Sequence, residues 1–530
     1  MIKIAQSFCC CAIISYICAR IDYKFINMKK VFLTLMAATV VSVSTNAGGL
    51  LTNTNQNAIF LRNPARDAAI GIDGVYSNPA GIAFLPQGLH LSLSWQAAWQ
   101  KRQITSTAPF YGFNANNPSN THFFEGTATA PVIPSVQAAY VINDKWSVSA
   151  QFAVGGGGGK CEFDNGLPMF EQLMGGQLAS GIAAAVSPGT QGYKYTMNQS
   201  LTGEQYFYGI QLGATYKITD KVAVFGGVRG VIAQSGYEGA ITGFSVNGIS
   251  RELLHGAMSQ GYQQAYEGAQ FAAGEAQKYA DLAATTADPA LQAQYAAAAQ
   301  TYGAAAQQYA AAAKQAGTAA LMTSSDLVLD CQQKGFGIQP IIGLDVNLGK
   351  LNLAAKYEFR ARIEMENESK NSPNVDAAFA AYQNGAKVRS DIPALLTLGA
   401  QYSFTKNVRA MGGFHYYFDK DAKGSATQVD KNTWEVTLGA EWDVNEWLTV
   451  SAGAQRTQYG FGDDMQDTNF NINSTALCLG ASFKVNEHVN INAGYMHSFY
   501  EDDELNRGNG ITDIYTRKND VVGVSVDLHF

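Results

Sequence analysis

Arg229, Lys356 and Arg360 are the basic residues whose surroundings could do recognition chemistry. A guanidinium or ammonium set into an apolar pocket is the partner that the carboxylate of an amphiphile needs, because a buried carboxylate is costly without a hydrogen-bonded counter-charge. Glu358 and Glu364 alternate with Lys356, Arg360 and Arg362, and this gives a second reading, a charge network that neutralises itself. Motifs for covalent chemistry are missing, with neither His-Glu-x-x-His nor Gly-x-Ser-x-Gly in the chain. Gly155 to Lys160 has the look of a phosphate-binding loop, yet Val154 and Cys161 stand where that loop needs Gly and Ser or Thr. The 7 His are scattered without a paired motif and no Cys-x-x-Cys occurs, so no metal, haem or other cofactor is expected and the chain does not read as an enzyme.

A strand is the element that would set these charges on one face, since successive side chains point to opposite sides. Leu351, Leu353, Ala355, Tyr357 and Phe359 oppose Asn352, Ala354, Lys356, Glu358 and Arg360; likewise Val522, Val524, Val526, Leu528 and Phe530 oppose Gly523, Ser525, Asp527 and His529. One face is apolar throughout and the other carries the charge. Only 15% of the 530 residues are Asp, Glu, Lys or Arg, against about 25% in soluble domains, while Gly numbers 53, Phe 27 and Tyr 26. The aromatic content excludes disorder, the lack of long apolar runs excludes a helical membrane protein, and a formal charge of -7 argues against a nucleic-acid surface. What remains is a barrel with lipid outside and polar groups in the lumen.

Paired alternating segments recur around tight turns at Asn143-Asp144, Thr219-Asp220, Gly349-Lys350, Thr405-Lys406, Asn445-Glu446 and Asn486-Glu487. Six hairpins with one further strand at each end predict an all-β, fourteen-stranded antiparallel transmembrane β-barrel over 88–530. Trp95, Trp99, Trp146, Trp434, Trp442, Tyr216 and Tyr416 suit its interfacial girdles. Long loops are expected near 106–130, 158–203, 245–333, 370–390, 421–431, 461–471 and 501–517. Within 245–333, Leu291 to Ala316 holds 13 Ala in 26 residues, with Tyr295, Tyr302 and Tyr309 seven apart along one side of a helix that Asp288-Pro289 starts. A helix over about 251–284 would complete a hairpin, serving either as a clasp over the pore mouth or as a pair whose tyrosines only pack on the partner.

Met28-Lys29-Lys30, the apolar Val31 to Val43 and the small residues to Ala47 read as a signal peptide over 28–47, with 1–27 an upstream extension. Its removal leaves 31 basic and 42 acidic residues and three cysteines, Cys161, Cys331 and Cys478. Cys161 and Cys331 are expected in external loops, where they either pair or stand too far apart; Cys478, on the polar face of its strand, is expected free.

Residues 48–87 are too irregular for the wall and suit a lumenal plug. They end on Asn78-Pro79-Ala80, directly ahead of the first strand, and Ala130-Pro131 later leads into Tyr140-Val141-Ile142-Asn143-Asp144-Lys145-Trp146; the chain closes on Phe530. In these features the sequence resembles the FadL/TodX family of outer-membrane long-chain fatty-acid and hydrocarbon transporters. The resemblance implies that the plug is a hatch whose Asn78, Pro79 and Ala80 lie against a kinked third strand. It further implies that a hydrophobic molecule such as a long-chain fatty acid is captured at the extracellular loops and leaves sideways through the wall. The matching strand is Lys145 to Val154, running into Gly155, Gly156, Gly157 and on to Gly159, which bend the strand or form the flexible start of the next loop. The sequence departs from the family in a second Asn-Pro-Ala, Asn63 to Ala65, and in the Ala-rich insertion.

Two functions of different class follow: a gated transporter of hydrophobic molecules, or an open diffusion channel or surface-binding protein that uses its loops. The expected setting is the outer membrane of a Gram-negative bacterium. A monomer is expected there, in contact with lipid and lipopolysaccharide, assembled through recognition of Phe530 by the barrel assembly machinery and with no nucleic-acid partner.

Overall fold

The computed structural model describes residues 52–530 except 188–191, 425–428, 461–466 and 469. The expected extension and signal peptide lie outside the described residues.

Fourteen strands form the wall. They are β1 (Gly88–Thr107), β2 (Thr121–Val141), β3 (Trp146–Phe163), β4 (Tyr195–Thr219), β5 (Val222–Val246), β6 (Leu327–Asn347), β7 (Leu351–Glu358, resuming at Glu364–Ser369), β8 (Lys387–Arg389 and Leu395–Ser403), β9 (Val408–Tyr417), β10 (Trp434–Asp443), β11 (Leu448–Gln458), β12 (Ser474–Lys484), β13 (Val489–Tyr500) and β14 (Ile511–His529). Each pairs antiparallel with its neighbours, and β1 closes on β14 from His90↔His529 to Thr107↔Thr512. Closure removes the sheet edges that lipid cannot satisfy.

The alternation runs opposite to that of a soluble protein. Ser92, Gln96, Gln100, Lys356, Glu358, Ser525 and Asp527 are buried, while Leu93, Trp95, Trp99, Leu353 and Val524 are exposed. Polar side chains fill the inside and apolar ones meet lipid, as the sequence predicts. The six tight turns stand where they are expected, and five share one chemistry: the side-chain oxygens of Asn143, Thr219, Thr405, Asn445 and Asn486 accept backbone N–H groups two or three residues on. Gly349 supplies the positive φ of the remaining turn.

At the opposite rim the strands run further than the sequence reading allows. β4 and β5 have 25 residues each, against about 9–11 needed to cross a bilayer. The expected loops 106–130 and 158–203 therefore shrink to 108–120 and 164–194, and the extra strand residues stand outside the membrane. This corrects the placement of two cysteines: Cys161 lies in β3 and Cys331 in β6, both buried and free, as is Cys478.

Beyond β5 stand α1 (Arg251–Thr285) and α2 (Pro289–Thr323). Asp288 caps α2 by accepting from Ala290 N at 2.8 Å, ahead of Pro289 at the first turn. Tyr279 of α1 stacks on Tyr302 with ring centroids 5.5 Å apart, and Tyr309 lies against Gly268. The tyrosine stripe packs on the partner helix. Among the described residues no helix is long and apolar enough to cross a membrane.

Candidate functional site

Residues 52–87 fill the lumen. Asn57 caps a short helix, Ala58–Arg62, by accepting from Ile59 N at 2.9 Å, and two 3-10 turns follow, Ile72–Val75 and Gly81–Phe84. The buried polar donors of this segment are met by the inner wall. Asn57 donates to Ser92 and Gln137, and Ala58 N to Ser94.

Glycines let the segment lie close. Gly399, Gly413, Gly439, Gly453, Gly480 and Gly494, on β8 to β13, each face residues Arg62 to Ala68 so nearly that an added β-carbon would overlap them; at Gly399 it would stand 2.6 Å from Ala68 N. The second Asn-Pro-Ala, Asn63 to Ala65, sits in this row. Asp67 and Glu435 then clamp His415 from its two ring nitrogens at 3.0 and 2.9 Å. Arg62 and Arg66 share Glu441 at 2.9 and 3.0 Å.

The first-named motif is seated elsewhere. Asn78 Nδ2 donates to Asp345 Oδ2 at 2.5 Å, its Oδ1 accepts from Gly81 N, and Thr215 donates to Pro79 O at 2.8 Å. Ala80 packs with Phe225 and Ile341. The polar bonds of this turn run to β4 and β6, while the 3-10 turns on either side of it, Ile72–Val75 and Gly81–Phe84, also touch β3. Its asparagine is already committed to Asp345, near the turn-bearing rim.

Arg229 and Lys356 converge on one carboxylate. Arg229 reaches Glu358 Oε2 at 2.5 Å and Lys356 reaches Oε1 at 2.8 Å; Lys356 also donates to Tyr76 O and lies 3.9 Å from the centroid of that ring. Gln339 and Gln211 take the remaining guanidinium bonds of Arg229. Burial, with Glu358 beside it, pushes the Tyr76 hydroxyl well above its ordinary range, so it stays neutral. This is the self-neutralising arrangement, clasped around a plug residue. Arg360 is not part of it: β7 breaks after Glu358, and Arg360 reaches Asp391 at 4.0 Å and the carbonyl of Asp421.

The glycine run stays in β3. It pairs with β4 through two bulges, between Val154 and Gly156 and between Gly157 and Gly159, with φ +82° at Gly157 and +73° at Gly159. On the other side the ladder fails. Ala128 pairs with Cys161 and Ser135 with Ala153, leaving 129–134 of β2 and 154–160 of β3 without mutual pairing. The cause is legible in both strands: Pro131 and Pro134 bring no N–H to β2, and the bulged glycines turn β3 away. The plug takes up the vacated acceptors. Asn53 N donates to Gly155 O at 2.9 Å, and Asn53 Nδ2 and Gln56 Nε2 donate to Val154 O at 3.3 Å.

Immediately outward of this gap the inner face turns apolar. Ile104, Phe124, Phe163, Tyr237 and Tyr515 point inward from five strands and close around Phe470 of the β11–β12 loop. Arg102 and Arg517, register partners on β1 and β14, border this cluster: Arg102 lies 5.5 Å from the Phe470 ring centroid and Arg517 donates to Phe470 O at 3.1 Å. The sequence reading missed these residues. Their signal is the switch of the inward positions of β1 from Ser92, Ser94, Gln96 and Gln100 to Ile104.

A closed barrel with a lipid-facing apolar surface and a filled lumen defines an outer-membrane barrel protein. Residues 364–530 match the family model described as outer membrane protein beta-barrel domain, and the protein resides in the Gram-negative outer membrane. The fold is that of a FadL homologue from Pseudomonas aeruginosa, at 13% identity and TM-score 0.56, covering 92% of this chain and 100% of that one. It is likewise that of a TodX monoaromatic hydrocarbon channel carrying a deltaS2S3 mutation, at 14% identity and TM-score 0.53, covering 91% and 100%. No curated protein sequence matches this one.

Proposed function

We propose that the protein carries hydrophobic small molecules across the outer membrane, capturing them at the external loops and the apolar cluster and releasing them sideways between β2 and β3. The observation that carries this reading is the stretch of wall where β2 and β3 do not pair, with the carbonyls of Val154 and Gly155 met from inside by Asn53 and Gln56. A molecule held among Ile104, Phe124 and Phe163 is next to that stretch, and withdrawal of 52–57 leaves a lipid-facing exit. The filled lumen speaks against an open diffusion channel, which has no use for a segment bonded to most of the inner wall.

One solved structure of like fold is a monoaromatic hydrocarbon channel; together with the long-chain fatty acids that the sequence resemblance implies, this gives two substrate classes. Arg229 and Lys356 are satisfied by Glu358, so the hydrophobic part of a substrate would be met at the apolar cluster around Ile104, Phe124 and Phe163 rather than at these cations. Asn78, Pro79 and Ala80 act as the fixed foot of the hatch, and Gly155, Gly156 and Gly157 as the frame of the exit. Monomeric action and assembly through Phe530 are part of the same proposal.

The test is uptake of oleate and of toluene in a transporter-deficient host carrying the Asn78→Ala, Pro79→Ala double variant. Lower uptake at an unchanged amount of folded barrel supports the hatch. Unchanged uptake, together with a general-porin conductance for the unmodified protein, supports the open channel.

A further inference from the structure

The 7 histidines are scattered along the sequence, yet closure of the barrel brings three of them to one spot. β1 and β14 pair His90 with His529, and the β12–β13 turn adds His488, whose Nδ1 lies 2.8 Å from the His529 carbonyl oxygen. The Nδ1 atoms of His90 and His529 are 2.9 Å apart, with the ring planes at 65°. His90 Nε2 lies 2.8 Å from the carbonyl oxygen of Pro86. That oxygen can only accept, so Nε2 carries the proton and the neutral ring turns its Nδ1 lone pair toward His529. A carbonyl on the far nitrogen is the orienting partner that metal-binding histidines ordinarily have. His529 Nε2 lies 3.3 Å from the side-chain amide of Asn490, which can offer N–H or, flipped, its oxygen; the ring can therefore hold its proton on either nitrogen.

We propose that His90 and His529 form a two-histidine site for a divalent transition metal such as Zn2+, Ni2+ or Cu2+, placed on the seam that closes the barrel. Metal–nitrogen bonds of about 2.0–2.1 Å at a tetrahedral angle set two such nitrogens roughly 3.3 Å apart, so a small rotation of the rings admits the ion. The ion replaces the shared proton. His529 loses its proton from Nδ1 to water and takes one up at Nε2, where the flipped Asn490 oxygen accepts it, so the ring stays neutral. Asp527, on the same face, is held by Ser92 and Asn492. Among the described residues no three His, Cys, Asp or Glu are grouped to hold a metal, so water completes the coordination. The bound ion would tie the first strand to the last beside Phe530.

The experiment uses the full-length barrel without a histidine tag, refolded in detergent and titrated with Zn2+ by calorimetry. One site per chain is expected. Affinity is expected to fall at least about tenfold in His90→Gln and in His529→Gln, and Zn2+ is expected to raise the unfolding temperature of the unmodified barrel but of neither variant. Cu2+ bound to the unmodified protein gives a readout independent of the variants, with two coupled nitrogens expected in its electron paramagnetic resonance spectrum. The proposal is overturned by unchanged Zn2+ binding in both variants, by loss confined to His488→Gln, by no binding at submillimolar Zn2+, or by a copper signal with fewer than two nitrogens.

Discussion

The backbone N–H of Asn53 donates to the carbonyl of Gly155 at 2.9 Å, and it does so where β3 has lost its partner on β2. Hatch and wall are joined at the weakest point of the wall. An unpaired backbone group facing lipid costs several kcal/mol in rough terms, so the inner segment both seals this stretch and, in the mechanism proposed above, opens it.

The glycines of the run are not equivalent. A β-carbon at Gly155 meets nothing nearer than 3.8 Å, whereas Gly157 has φ +82° and its β-carbon would overlap Gln205. Gly155→Val is expected to give the normal amount of heat-modifiable, folded barrel. Gly157→Val is expected to lower it, with a strain of about 1–3 kcal/mol from the backbone alone. Equal yields would remove the bulge from the account.

Glu358 holds two buried cations. Glu358→Gln leaves both uncompensated, and a loss of about 3–5 kcal/mol is expected in the urea unfolding of the refolded barrel. The single variant Lys356→Met, which leaves the Arg229 pair intact, should cost less. The reverse order would contradict the network.

The glycine row can be tested through Asn63. A side chain at Gly439 overlaps Asn63, while at Gly412 its nearest neighbour is Leu438 Cδ2 at 3.6 Å. Gly439→Val is expected to displace the plug and raise single-channel conductance. Gly412→Val should leave conductance as it was.

Topology follows from the turns. Tags after Thr219 and after Asn486 should be unreachable on intact cells and one near Tyr302 reachable, as judged by antibody labelling. Labelling at either turn would invert the barrel.

Much of this architecture is readable from alternation, because a period of two and Asn- or Thr-based turns are local signals; strand number follows from them, and the Asp288 cap follows from the equally local Asp-Pro pair. What escapes is whatever depends on register across the wall. The strands continue past the membrane without any change of period, so Cys161 and Cys331 look like loop residues. His90 and His529 meet only because the ends of the chain pair, and each glycine of the row lies on a different strand, its role set by what it faces. Asn53 and Gln56 carry no motif; their part comes from where the β2–β3 ladder fails.

The central claim is that 52–57 must leave Gly155 for substrate to pass, and the most direct measurement is uptake with the two held together. In the double variant Asn53→Cys, Gly155→Cys, joined by oxidation or a short thiol crosslinker, oleate and toluene uptake should stop and return on reduction, with the amount of folded barrel constant throughout. Uptake that is equal in the joined and the reduced protein would contradict lateral release at this gap.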